Sequence, residues 1–288
     1  MKKYREGLWT PEILEYQEQL VPGFFIDIYN QLNSFIPEIF SKRGISYTGG
    51  KEILCEEYVP YLLSKGVRVI IIIRDPRDVI VSLNFRKKDN LTGKKRPILY
   101  SLRLWRKSVA FALECEDCSN FMWLKYEDLV ENPIRILNKV AAFLSIDAFA
   151  PDILEGGIRD QYGGLWSSNS SFVSRLGISE DSIGRFKNVL PDYVISYIET
   201  CCLPEMKYLN YDLNKIEDFD EKSLGDFKEP FPIEHKKFLN DEEYSLTHIE
   251  EEIERYSKLT VSLKLNTDEA EKWFLFEKVY KKYLNFLR

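Results

Sequence analysis

The chain has 288 residues, 44% of them hydrophobic, with 40 Lys and Arg against 46 Asp and Glu. That length supports one large domain with a real core plus an appendage, and the net charge of -6 excludes a general nucleic-acid binder, so any anion site has to be a local basic pocket. No run is apolar enough to predict a membrane span, Met1–Trp9 has no apolar signal segment after it, and the 5 cysteines lack the spacing of a disulfide framework, which together predict a reduced, cytoplasmic protein.

Helical patterning opens the chain, with Thr10-Pro11 as N-cap and first-turn pair and Ile13, Leu14 and Leu20 on one side, until Pro22 breaks it. Phe24–Phe40 predicts another helix, interrupted near Pro37, and 41–50 is turn-rich. A further helix runs to about Lys65 and ends at Gly66, a C-cap glycine. Val69–Ile73 is an unbroken β-branched run, the pattern of a parallel strand covered on both faces. A helix begins near Pro76 and carries Ser82; 89–97 is a polar loop. Ile98–Cys115 is helical, with Leu102, Trp105, Val109 and Ala112 on one face, and Phe121–Leu124 is a second strand. Asn132-Pro133 opens a helix that turns Ile136, Leu137, Val140 and Leu144 toward the sheet. The repeated strand-and-helix order predicts an α/β fold, a parallel sheet flanked by helices.

Beyond Pro191 a helix carries Val194, Ile195 and Ile198. Residues 214–235 are acidic and aperiodic and read as a linker between an α/β domain over 1–213 and a C-terminal helical extension over 236–288. That extension has one helix with Leu246, Ile249, Ile253 and Tyr256 in phase. A last one is opened by the capping pair Asn266 and Glu269 and carries Trp273, Phe276, Tyr280, Tyr283 and Leu287. Packing onto the main domain is the simpler expectation for this aromatic stripe; a protein or acceptor contact is the alternative.

The chemistry concentrates in VRVIIIIRDPRDVIVSLNF, 67–85. Arg74 stands at the carboxyl end of the strand, where open α/β sheets bind ligands, and the helix after it aims its amide dipoles and Ser82 at the same crevice. A multiply charged anion suits that arrangement. Arg77, Arg86, Lys87 and Lys88 add positive charge, although the last three suit a solvated helix face equally well. Cys115 and Cys118 have no second pair and no histidine near in sequence, so no metal site is expected.

Arg74 and Ser82 within RDPRDVIVS resemble the 3'-phosphate segment of sulfotransferases that use 3'-phosphoadenosine-5'-phosphosulfate (PAPS). Trp123–Ile146 resembles that family's strand, adenine-contacting tyrosine (Tyr126) and following helix. Ser170–Leu190 resembles its nucleotide-closing loop, with Gly184 and Arg185 in the closing element. The resemblance covers most of 45–211 and implies a P-loop NTPase-like sulfotransferase fold. It also implies sulfuryl transfer, without a metal, from PAPS to a hydroxyl of a small-molecule, carbohydrate or lipid acceptor. It places Lys51 as the lysine that steadies the sulfuryl group; with the only histidines, His235 and His248, far along the chain, a carboxylate is the candidate general base, Glu52 being nearest in sequence and Glu56 and Glu57 one turn further on. Trp166–Phe172 resembles a Ser-rich segment near the acceptor mouth.

The family's N-terminal strand and Pro-Lys-Ser-Gly-Thr-Thr type loop are not found, and Tyr47–Lys51 is a poor substitute. The expectation is therefore either a chain lacking an N-terminal piece or one that has lost the element. The alternative function is a non-catalytic member that binds a nucleotide or a partner without turnover. A protein kinase, suggested by Arg74-Asp75, fails for want of a glycine-rich loop and an Asp-Phe-Gly.

Overall fold

Five successive β-branched residues, Val69–Ile73, form β1, which pairs in parallel with β2, Phe121–Lys125, in a register running from Val69 opposite Phe121 to Ile73 opposite Lys125. The structure is a computed structural model of the chain and describes residues 49–51, 55–85, 95–154, 178–234, 248–260 and 265–287. Two compact units emerge: Met1–Tyr58 with Arg159–Gly164, and Val59–Ile158 with Leu165–Arg288. Of the first, the described part is an exposed stretch followed by a 3₁₀ turn over Glu56–Tyr58, where Tyr58 N donates to Cys55 O at 3.0 Å. The helices expected before Phe40 and the segment 166–172 lie outside the described residues.

Everything else belongs to the second unit. Helix α1, Val59–Ser64, ends at Gly66, whose φ of 76° is the left-handed value that a side chain resists. Only two residues, Arg74 and Asp75, separate β1 from α2, Pro76–Asn84. The turn is that short because Asp75 is a full N-cap, accepting Arg77 N at 2.9 Å, and Pro76 supplies a helical φ at the first position. Helix α3, Ile98–Cys115, buries Ile98, Leu102, Trp105, Val109 and Ala112, the face its periodicity predicts. With Pro97 before it, α3 is capped from a distance: Ile98 N donates to Glu229 Oε1 at 2.7 Å.

β2 runs directly into α4, Tyr126–Glu131, and α5, Pro133–Leu144, follows. Of the four α5 residues expected to face the sheet only Ile136 is buried; Leu137, Val140 and Leu144 are half-buried. The strand also departs from its pattern. Ile73 is buried but Ile72 is 53% exposed, so β1 is not covered on both faces along its length. Alternate residues face opposite sides of a sheet, and α3 packs against one of them.

Short α6, Phe186–Val189, leads to α7, Asp192–Cys201, and α8, Leu203–Tyr208, whose Val194, Ile195, Ile198, Leu203 and Met206 are buried. Residues 214–234 contain a short helix, α9, Glu221–Gly225, and send Leu224, Phe227 and Phe231 into the core. The core extends through α10, Ile249–Thr260, α11, Thr267–Phe274, and α12, Glu277–Leu287. One helix was expected where α11 and α12 stand. The capping box of Asn266 and Glu269 forms, but the chain breaks at Leu275, whose φ is 66°. The break lets two helices share one apolar centre: the Phe274 ring lies 5.4 Å from Tyr280 and 6.2 Å from Tyr283.

Buried charge secures α10. Glu252 pairs with Arg106 of α3 and Arg255 with Glu205 of α8, all four at most 9% exposed. The Arg106 guanidinium also donates to Cys201 O at 2.9 Å and Arg103 to Glu252 Oε1 at 3.0 Å. The arginines hold Glu252 down to about 2, against the upward pull of burial.

Candidate functional site

The register of the two strands brings the site together. Ile73 faces Lys125, so the next residues, Arg74 and Tyr126, emerge side by side at the carboxyl ends. Arg74 Cζ lies over the Tyr126 ring, 4.7 Å from its centroid. Both side chains also meet Ser182: Arg74 Nη2 donates to its carbonyl, and Tyr126 OH and Ser182 Oγ are 2.7 Å apart. The Arg74 backbone is pinned from α3, where Trp105 Nε1 donates to its carbonyl at 2.8 Å. The Arg74 side chain is 20% exposed, and its Nε is buried without an acceptor among the described residues.

Asp78, on the first turn of α2, ties this corner to the segment after Ser182. Its Oδ2 accepts Gly184 N at 2.7 Å and its Oδ1 accepts Phe186 N at 2.9 Å, while Arg74 Nη2 stands 3.8 Å from Oδ2. Gly184 has a φ of 65°, the left-handed turn that lets both amides converge on one carboxylate. Burial raises the Asp78 carboxyl above its ordinary range, against the lowering effect of the two amides and of Arg74.

Beneath lies a shell of paired charges. The Arg77 guanidinium packs 4.0 Å from the Phe186 centroid and donates to Asp75 Oδ2 at 2.6 Å and Glu199 Oε1 at 2.5 Å. Glu199, fully buried, also accepts the amides of Asn214 and Lys215, each at 2.9 Å. Glu127 accepts Asp75 N at 2.9 Å and Tyr211 OH at 3.1 Å, and burial raises its carboxyl. Fully partnered charges of this kind hold a site rigid because each would be costly to leave unpaired.

Of the residues singled out from sequence, Arg74, Tyr126 and Gly184 come together around 182–186. Ser82 lies half-buried further along α2, and no hydrogen bond joins it to Arg74. Arg185 donates to Asp181 O at 3.2 and 3.0 Å, within its own segment. Lys51 is exposed and belongs to the other unit, and Glu52 lies outside the described residues. Asp78 and Ser182 went unrecognised; the signal for Asp78 was its spacing, one helical turn after Arg74. Cys115 is buried and Cys118 exposed, both as free thiols, and among the described residues no acidic, histidine and cysteine cluster fit for a metal occurs. No helix among the described residues is long and apolar enough to cross a membrane.

A family model described as a sulfotransferase domain matches residues 55–210. That span takes in Arg74, Asp78, Tyr126, Ser182 and Gly184 and begins after Lys51 and Glu52. Among solved structures, the sulfotransferase domain from the curacin biosynthetic pathway is similar at 21% identity with a TM-score of 0.40, over 55% of this chain and 61% of that one. The chain thus spans about three fifths of that structure's length. No curated protein matches.

Proposed function

The chain belongs to the sulfotransferase domain family, and from that premise we propose that it transfers a sulfuryl group from PAPS to a hydroxyl of a small-molecule, carbohydrate or lipid acceptor. The observation that carries the reading is the corner formed by Arg74, Tyr126 and 182–186 at the carboxyl ends of two parallel strands. A guanidinium there is a suitable grip for the nucleotide's 3'-phosphate, because its planar fork matches phosphate oxygens. Arg74 Nε supports the fit as a buried donor with no acceptor among the described residues.

In this proposal Arg74 and Ser82 hold the 3'-phosphate, Tyr126 steadies Arg74 from below and meets the adenine, and Gly184 and Arg185 close the segment over the nucleotide. PAPS, when bound, supplies the activated sulfuryl group. The protein's task is then to align donor and acceptor and to balance charge on the transferring oxygens, work that positioned donors perform without a metal. Lys51 is assigned the transferring group on the family resemblance, and Glu52 the acceptor proton as the carboxylate next to it in sequence.

Transfer of label from sulfur-labelled PAPS to a panel of hydroxyl acceptors tests the reading. Turnover lost in Lys51→Ala and Glu52→Gln supports it. Nucleotide binding with no transfer to any acceptor would replace it with the non-catalytic reading.

A further inference from the structure

Asp78 is the best-placed group that the reaction itself does not use. It belongs to α2, yet both its oxygens are spent on amides more than a hundred positions away, Gly184 N at 2.7 Å and Phe186 N at 2.9 Å. Its side chain is 1% exposed, and it faces Arg74, whose Nη2 stands 3.8 Å off and bonds Ser182 O within the same segment. One carboxylate therefore sits between the anion-binding arginine and the strap that crosses it. We propose that Asp78 is the positioning residue of the nucleotide site: it pins 182–186 closed over Arg74 and thereby sets affinity for the 3'-phosphate, a role that rests on the nucleotide reading above.

Two effects of this carboxylate oppose each other. As a negative charge beside Arg74 it weakens the corner's pull on any incoming phosphate, so its neutralisation alone strengthens binding. As an acceptor of two amides it holds the strap, and each bond made to a charged group matters more than one between neutral groups. Asparagine separates them. It has nearly the same shape and no charge, keeps one oxygen for one amide, and turns an NH2 against the other N–H. A role through charge predicts tighter binding in Asp78→Asn; the pin predicts weaker binding. A merely structural role predicts equal losses for every nucleotide.

The experiment titrates full-length wild type, Asp78→Asn and Asp78→Ala with adenosine 3',5'-bisphosphate and with adenosine 5'-monophosphate. It also follows amide hydrogen exchange of Gly184 and Phe186 without nucleotide. The pin predicts about a tenfold loss of bisphosphate affinity in Asp78→Asn, less than half that effect on the monophosphate, and faster exchange at both amides. Asp78→Asn carries the test should Asp78→Ala fail to fold. Unchanged or tighter bisphosphate binding, equal losses for both nucleotides, or unchanged exchange would each overturn the proposal while leaving the nucleotide site standing. A wild type that binds no bisphosphate would overturn both.

Discussion

The Arg74 guanidinium and the Tyr126 ring stack with Cζ 4.7 Å from the ring centroid, and each bonds a different atom of Ser182. Ring and hydroxyl are therefore separable. Tyr126→Phe keeps the stack and loses the bond to Ser182 Oγ, for an expected loss of about threefold in adenosine 3',5'-bisphosphate affinity. Tyr126→Leu loses both, for about tenfold. Calorimetry on the two variants checks this, and equal losses would show that the stack contributes nothing.

Gly184 offers a test of the strap's backbone alone. Among the described residues a Cβ there would meet only Lys187 Cε, at 3.9 Å, so space is not the obstacle; the φ of 65° is. Gly184→Ala should cost about 1 kcal/mol of stability in urea titration. An alanine variant as stable as wild type would mean that this turn relaxes to a negative φ at no cost.

Much of the fold was readable because its signals are local. β1 and α3 begin and end where the β-branched run and the apolar periodicity do, and the Asn266 box caps α11 as its spacing predicts. The place of Arg74 at the end of a strand was legible from the same run. What stayed hidden depends on distant chain segments. Nothing near Asp78 in sequence points to Gly184, 106 positions away. Leu224, Phe227 and Phe231 are too sparse and irregular to show a period, yet the structure buries all three. The break at Leu275 follows from packing Phe274 against Tyr280 and Tyr283, a tertiary demand that overrides a continuous helical pattern. Lys51 was reached through family resemblance and Glu52 through its nearness to Lys51 in sequence, and no contact in the described residues bears on either.

Glu252 should dominate acid sensitivity. Its carboxyl, ordinarily near 4.5, is held at about 2 in the folded chain, with burial opposing and Arg106 then favouring its charge. A lowered carboxylate gives stability that is present above the ordinary value and lost as pH falls toward 2. Glu252→Gln leaves Arg106 short of its partner and should destabilise at neutral pH by roughly 3 kcal/mol. The gap from wild type should narrow as pH falls from 5 to 3; a gap independent of pH would show that the pair contributes no linked stability.

Glu229 behaves oppositely. Burial raises its carboxyl from 4.5 to about 7, against the pull of the Ile98 amide, and its Oε2 is buried without a partner among the described residues. The folded chain then binds a proton that the unfolded chain releases, so this group's contribution is full below about 4.5 and is lost as pH rises through 7. Glu229→Gln should be more stable relative to wild type at pH 8 than at pH 5, by on the order of 2 kcal/mol. Parallel melting profiles for the two proteins would contradict this.

Whether Arg74 grips the 3'-phosphate of a nucleotide is decided by calorimetric titration of wild type and Arg74→Ala with adenosine 3',5'-bisphosphate. Wild type should bind saturably at one site and the variant about a hundredfold more weakly. Equal binding by the two proteins, or none by wild type, would contradict it.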